Sequence, residues 1–304
     1  MQPVGTAQQP LLSAPVIGVL LMFVGMFLFS LNDAMGKWMV ASYGVGQVLL
    51  IRSLAALIIL APFLWMFGPA RLFSLERPKV QAMRVVFSTA EVFCFYAAVR
   101  ELPLADVMTY WLAVPIYVAA LSPFLLGERV GAIRWTAIAI GFVGVLVALT
   151  PSGEVSLFAT ATALVGSLCF ALMVLTGRTL RRTPDTALVF WQLVGAGVAG
   201  LVLAPFEWAA PGSIDWMLLG LLGVVAMGAH LCVNRALKLA DAALVAPLQY
   251  TLLPWAIILG WLFFADVPGA LMLIGGGIII GAGLLLLVRE RRAAKREEAF
   301  EQGE

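Results

Sequence analysis

The sequence predicts an all-α integral membrane protein with ten transmembrane helices, arranged as two inverted five-helix repeats. Three observations carry that prediction. The first is composition: 62% of the 304 residues are hydrophobic and 12% are charged, and the mean hydropathy is +1.01. A soluble domain carries about 45–50% apolar and about 25% charged residues, because charged side chains must cover its surface. A soluble enzyme, a disordered chain and a secreted disulfide scaffold are therefore excluded. The second observation is a series of apolar stretches long enough to cross a bilayer. The third is an internal duplication whose unit holds an odd number of them.

A bilayer core of about 30 Å takes roughly 20 residues of helix at 1.5 Å each. Ten stretches meet that length: 15–35, 46–67, 80–99, 103–125, 131–150, 157–177, 186–206, 214–236, 241–264 and 268–288. Residues 1–14 precede them with no Lys or Arg. Without a basic n-region, the first stretch is read as a retained span rather than a cleavable signal. The connections are short and marked by Pro or Gly, as at Gly68-Pro69, Leu102-Pro103, Pro151-Ser152-Gly153, Pro211-Gly212 and Val267-Pro268. They leave no room for an extramembrane domain. Residues 289–304 form a charged tail that continues the last helix.

Orientation follows from the Lys and Arg of the connections. One side holds Arg71, Arg77, Lys79, Arg129, Arg134, Arg178, Arg181, Arg182, Arg235 and Lys238, and the tail adds five more. The other side holds Lys37 and Arg100. Both termini are thus expected in the cytoplasm, and the protein in a cell (inner) membrane. Cys94, Cys169 and Cys232 lie in apolar stretches without C-x-x-C spacing, as small packing residues do. A single histidine excludes a His-rich metal site. There is no Walker loop, H-E-x-x-H or nucleophile elbow, so no ATP hydrolysis, metal, cofactor or nucleic-acid partner is expected.

The two halves repeat one another. Arg100-Glu-Leu-Pro-Leu-Ala-Asp106 returns as Arg235-Ala-Leu-Lys-Leu-Ala-Asp241, and Glu128-x-x-Gly131 as Asp266-x-x-Gly269. Gly25, Phe29, Leu31, Gly36 and Lys37 match Gly166, Phe170, Leu172, Gly177 and Arg178, and Ala61-Pro-Phe63 matches Ala204-Pro-Phe206. The repeats run over 15–150 and 157–288. With five spans each, the second must enter the membrane upside down, a topology associated with alternating-access transporters that bind substrate near the midplane.

This pattern resembles the EamA-type drug/metabolite transporter superfamily. The features carrying the resemblance are the Ala-Asp that opens each fourth helix, the Pro within it (Pro115 and Pro254) and the closing Gly127-Glu128 or Ala265-Asp266. The resemblance covers nearly the whole chain, with Asp266 standing where the family favours Glu. It implies secondary transport of a small organic metabolite through a central cavity, and leaves substrate and direction open.

An ionisable side chain in hydrocarbon costs about 2.5–3.5 kcal/mol on insertion scales, so each one inside a span calls for a partner, a wet cavity or a function. Glu91 lies about 12 Å from the outer end of the third span and Arg52 about 9 Å from that of the second. They are placed to pair. Alternatively, Glu91 faces the cavity and binds a cationic group or a proton. His230 and Asn234, four apart, share one face of the eighth span. Asp33 and Lys37, also one turn apart, read as a helix-end ion pair or an outer gate. Asp106 and Asp241 open helices, where a carboxylate suits the dipole. Tyr110 with Trp111, Gln249 with Tyr250, and Trp191 with Gln192 are polar-aromatic pairs that belong either to the interfacial belt or to a substrate site. The glycines of Gly275-Gly-Gly-Ile-Ile-Ile-Gly281 let helices approach closely, within a monomer or across a homodimer.

The expected function is transport of an amino acid, an amine or a vitamin-like compound, with uptake of a planar vitamin such as riboflavin as the alternative. A passive channel and a lipid-modifying membrane enzyme are the readings from other classes. Against the enzyme, convergent acids, bases or metal ligands are lacking. Glu91 and His230 are the intramembrane groups suited to proton exchange, and no second carboxylate stands by Glu91 to build a sodium site. Proton-linked or exchange-driven transport is therefore expected over sodium coupling.

Overall fold

The computed structural model describes residues 14–67, 72, 77–127, 132–148, 156–180, 182–240 and 246–301. Glu128, Asp241, Arg71, Arg129 and Arg181 lie outside these, as do the side chains of Asn234, Arg134, Arg178, Lys238 and the tail. Among the described residues the protein is all-helical, with no strand. The helices are α1 (Ala14–Val40), α2 (Val45–Phe67), α3 (Pro78–Val99), α4 (Leu104–Leu112), α5 (Val114–Leu126), α6 (Ala132–Ala148), α7 (Leu157–Thr179), α8 (Asp185–Leu203), α9 (Ser213–Leu239), α10 (Leu252–Phe264) and α11 (Ala270–Glu301). Short 3-10 segments at Ala204–Glu207 and Ala246–Thr251 follow α8 and precede α10.

Among the described residues, seven stretches are long and apolar enough to cross a membrane, with α4 and α5 together forming one of them, Leu104–Leu125. Three further apolar helical stretches are shorter: Trp135–Ala148, Leu248–Phe264 and Ala270–Leu285. These are the fifth, ninth and tenth of the expected spans. The outward faces are apolar and wide open. Trp65, Leu157 and Phe206 are each more than four-fifths exposed, an arrangement suited to hydrocarbon, where only backbone satisfied within helices is stable. The chain is a multi-pass membrane protein.

Local chemistry sets the helix ends. Pro78 begins α3, where its missing N–H costs nothing. Ser156 caps α7 by accepting the Ala159 N–H at 3.3 Å. Helices α5 and α10, at equivalent places in the two halves, both end in the left-handed region, at Gly127 (φ 70°) and Ala265 (φ 55°). Glycine adopts that conformation freely; for alanine it costs about 1–2 kcal/mol. The Ala265 turn is closed by hydrogen bonds from Ala265 N to Trp261 O and from Asp266 N to Gly260 O, each 3.2 Å. It sends Asp266 back towards the bundle.

The most extensive packings join the two halves. Helix α1 lies along α9 and α3 along α7; α2 lies along α8 and α6 along α11; α1 also meets α10, as α5 meets α7. Exchanging each helix for its counterpart in the other half returns the same set of pairs. The main buried cluster forms where these pairs converge, and includes Leu49 of α2, Tyr96 of α3, Leu104 of α4, Ala256 of α10 and Ile279 of α11.

Candidate functional site

The site begins with a broken helix. Pro115 has no N–H to give the Trp111 carbonyl four residues back, and its ring crowds that carbonyl. The fourth span accordingly breaks at Ala113, whose N–H turns to Tyr110 O at 3.2 Å. Pro254 stands in the same relation to Tyr250, and there the chain winds as the 3-10 segment Ala246–Thr251. Discontinuous helices in equivalent positions of two halves mark binding sites in transporters.

Trp111, at the break, donates its indole N–H to Glu91 Oε1 of α3 at 3.0 Å and stands edge-on to Phe95 (centroids 5.2 Å apart, 84° between planes). Tyr250 is buried with its phenol seated against Gly283 of α11, where a Cβ would collide with it. Gln249 is half-buried beside it, and Tyr110 is buried in the main core.

Arg52 is 8% exposed. It donates to the Tyr96 phenol oxygen, with its guanidinium carbon 5.3 Å from that ring's centroid. The expected Glu91–Arg52 ion pair is therefore not formed. Tyr96 and Glu91 are five residues apart on α3, about 140° around the helix at 100° per residue. The acid and the base consequently address different faces of α3, each satisfied by a neutral aromatic partner.

Arg52 lines a small cavity with Ser53, Ser88 of α3, Gln192 of α8 and His230 of α9. Its volume is about 20 Å³, little more than one water molecule needs, so a solute enters this space only if the surrounding helices part. His230 packs edge-to-face on Phe29 of α1, 4.8 Å between centroids. Trp191 does not share the cavity: its indole N–H is taken by the Leu72 carbonyl at 2.9 Å. Its neighbour Gln192, 100° further round α8, faces the cavity instead. Tyr96, Ser53 and Ser88 were missed by sequence reading. Ser88 falls one turn before Glu91 on the same helix, and that spacing was the available signal.

Lys37 also departs from expectation. Its ammonium meets Asp266 Oδ2 at 2.5 Å and the Leu102 carbonyl at 3.2 Å, beneath the Phe264 ring at 4.8 Å. Asp33 instead accepts from Asn32 Nδ2 at 3.1 Å. The local i,i+4 partner loses Lys37 because the Ala265 turn presents Asp266 in a half-buried position, where the Leu104 N–H also points at it, 3.4 Å away. At the same end of the bundle Arg100 pairs with Glu207 at 3.1 Å and Tyr43 donates to Asp215 at 2.6 Å. Gln47 there exchanges two hydrogen bonds with the Ala209 backbone, 2.7 and 3.0 Å. The Lys37–Asp266, Arg100–Glu207, Tyr43–Asp215 and Gln47–Ala209 contacts each join the first half to the second.

Comparison with known proteins agrees with this architecture. The chain is 27% identical to a riboflavin transporter of Rhizobium johnstonii, covering 93% of this chain and 95% of that one. It is 25% identical to an S-adenosylmethionine uptake transporter of Rickettsia felis (90% and 95% covered) and 27% identical to a pseudopaline exporter of Pseudomonas aeruginosa (88% and 95%). A solved crystal structure, 17% identical, shares the fold with a TM-score of 0.65 over 91% of this chain and 98% of that one. A model of the EamA-like transporter family matches residues 16–150 and again 157–289, so a chain with two such halves, packed helix for helix across one seam, belongs to the EamA-like transporter family.

Proposed function

We propose that the protein is a secondary transporter with ten spans in two inverted halves, which moves a small organic solute across the inner membrane by alternating access. The observation that carries this reading is the pair of proline-broken helices at equivalent positions, one of which holds Trp111 against Glu91. Substrate contacts in this reading come from Glu91, Trp111 and His230, with Tyr110, Asn234, Gln249 and Tyr250 in supporting positions and Gln192 taking the place expected of Trp191. An amino acid, an amine or a vitamin-like compound fits such a mixed polar and aromatic site. The relatives named for riboflavin, S-adenosylmethionine and pseudopaline support a small organic solute, and the first of them makes planar-vitamin uptake the second reading.

With the sparsely basic connections outside and both termini in the cytoplasm, the Lys37–Asp266 end of the bundle is the outer one. Its contacts across the two halves act as the closed outer gate, and the cavity beneath is contracted. A passive channel fits this less well than a transporter, because a channel needs a continuous path in one conformation. Coupling in this reading is to protons or to exchange rather than to sodium, although a second carboxylate, Asp33, does act on Glu91, contrary to the sequence expectation.

The test is counterflow in proteoliposomes loaded with candidate solutes. Trans-stimulated uptake of a labelled solute is expected; flux that ignores the trans solute would make the protein a channel. Reporter fusions at residue 304 that work only in the periplasm would reverse the assigned orientation.

A further inference from the structure

We propose that Arg52 is the anchor for a carboxylate on the transported solute, so that the substrate class is a carboxylate-bearing small molecule rather than a plain amine. The inference rests on the transporter reading above. It begins with a buried cation that has no salt bridge among the described residues, Asp33 and Glu91 acting on it only from beyond ion-pair distance. The Arg52 side chain is more than nine-tenths buried, and no carboxylate among the described residues lies within ion-pair distance of it. A guanidinium carries five N–H donors in a planar fork. One of them goes to Tyr96, and Tyr96 is neutral.

The other polar groups around it are neutral oxygen and nitrogen acceptors: the hydroxyls of Ser53 and Ser88, the Gln192 amide and the His230 ring. None of these carries a charge that would neutralise the guanidinium, and Ser53 Oγ has no hydrogen-bond partner among the described residues. Nor is Arg52 able to reach the membrane surface by snorkelling. Gly223 of α9 lies so close that a Cβ there would collide with the Arg52 carbonyl, which fixes this point of α2 at a helix crossing in the interior. The Tyr96 ring then holds the guanidinium from one side and leaves the fork facing the cavity.

A buried fork with one donor bonded to Tyr96 and no salt bridge of its own among the described residues matches a planar two-oxygen anion, which it binds bidentately. A phosphate dianion calls for a second cation in the lining; Arg84 of α3 acts on His230 but does not itself line the cavity. Glu91, on the other face of α3, is left to receive the cationic or hydrogen-bonding part of the same solute. Opposite charges kept apart by one helix suit a ligand that carries both.

The experiment uses the full-length protein in nanodiscs, with tryptophan fluorescence and thermal shift as binding readouts. The probes are the twenty proteinogenic amino acids and a set of short mono- and dicarboxylates; the best binder is then compared with its carboxamide and its decarboxylated amine. The expected result is at least tenfold tighter binding of the carboxylate than of the carboxamide. In Arg52→Gln the ratio falls to within twofold, while Arg52→Lys keeps an intermediate ratio. Equal binding of carboxylate and carboxamide by the wild-type protein overturns the inference and needs no variant to fold. So does a ratio that survives in Arg52→Gln, or the failure of every carboxylate to bind. Counterflow of a solute lacking a carboxylate would remove this inference and leave the transporter reading standing. Absence of flux for every solute tested would remove the transporter reading itself.

Discussion

At one end of the bundle a base and an acid from opposite halves, Lys37 and Asp266, find each other at 2.5 Å. Deeper in, the base Arg52 and the acid Glu91 stand on elements packed together and are each tied instead to a neutral ring, Tyr96 and Trp111. The first arrangement cancels charge across the seam of the molecule. The second keeps both charges in a low-dielectric interior, where an uncancelled ion is costly. A pair that only held the helices together would have closed on itself, as the end pair does. Charges kept apart at that cost are available to something that arrives from outside the fold, and in the proposed reading this difference separates a latch from a binding site.

The largest expected effect is at Glu91. Glu91→Gln keeps an oxygen for the Trp111 indole and removes the charge. If the charge serves the solute, counterflow falls by about a hundredfold or more, about 2.7 kcal/mol of lost differential binding, while the melting temperature holds. Full activity of Glu91→Gln would break the comparison outright. If Glu91 and Arg52 are instead a structural pair acting at a distance, Glu91→Gln with Arg52→Gln recovers activity. A double variant that expresses normally and stays inactive favours the binding role.

The latch comes next. Lys37→Gln and Asp266→Asn each leave a half-buried charge without its partner, which costs about 1.5–3 kcal/mol for a charge-assisted bond. In the proposed alternating-access reading the pair exists only while this end is closed, so the cost falls on the closed state and shifts the conformational equilibrium about tenfold or more towards opening. A cysteine placed at Ser30, next to the α1–α10 contact, should then react faster with a membrane-impermeant maleimide added from outside. The charge swap Lys37→Asp with Asp266→Lys should return labelling towards the wild-type rate. Unchanged labelling in the single variants would make the pair an ornament of the fold.

A smaller effect is expected at Trp111. Trp111→Phe retains an aromatic ring beside Phe95 and loses the N–H that Glu91 accepts. Removal of one hydrogen bond to a charged group costs about 1.5–3 kcal/mol if nothing replaces it. Water replaces it in part in a site that opens, so a five- to tenfold fall in counterflow is expected. Trp111→Ala should lose more. Equal losses for Phe and Ala would place the importance of Trp111 in its N–H rather than in its ring.

Much of the fold was legible because the bilayer imposes a length on every apolar run and because duplication writes each half twice. The proline at the heart of each fourth helix was legible too, and with it the positions of Trp111 and Tyr250. Side-chain partners were harder to read. Depth along a helix put Glu91 and Arg52 level, but azimuth decides contact, and the 140° between Glu91 and Tyr96 on α3 turned the two charges to different neighbours. Lys37 went to Asp266 rather than Asp33 because a non-glycine left-handed residue, Ala265, redirects the chain, and no rule of sequence spacing anticipates it. The same azimuth rule exchanges Trp191 for Gln192 at the cavity.

The smallest expected effect sharpens the comparison from the other side. Arg100 and Glu207 also join the two halves, at the same end as the latch, and lie 3.1 Å apart. Their side chains are 44% and 59% exposed, against 14% and 21% for Lys37 and Asp266. Water already solvates the exposed pair in either conformation, so breaking it exchanges one good environment for another. Such pairs contribute about 0–1 kcal/mol. Arg100→Ala and Glu207→Ala should therefore leave counterflow within about twofold and maleimide labelling at Ser30→Cys unchanged. Raising the salt concentration should weaken what little they contribute. If Arg100→Ala opens the outer end as far as Lys37→Gln does, then position across the seam, not burial, makes a latch, and the contrast between the two pairs fails.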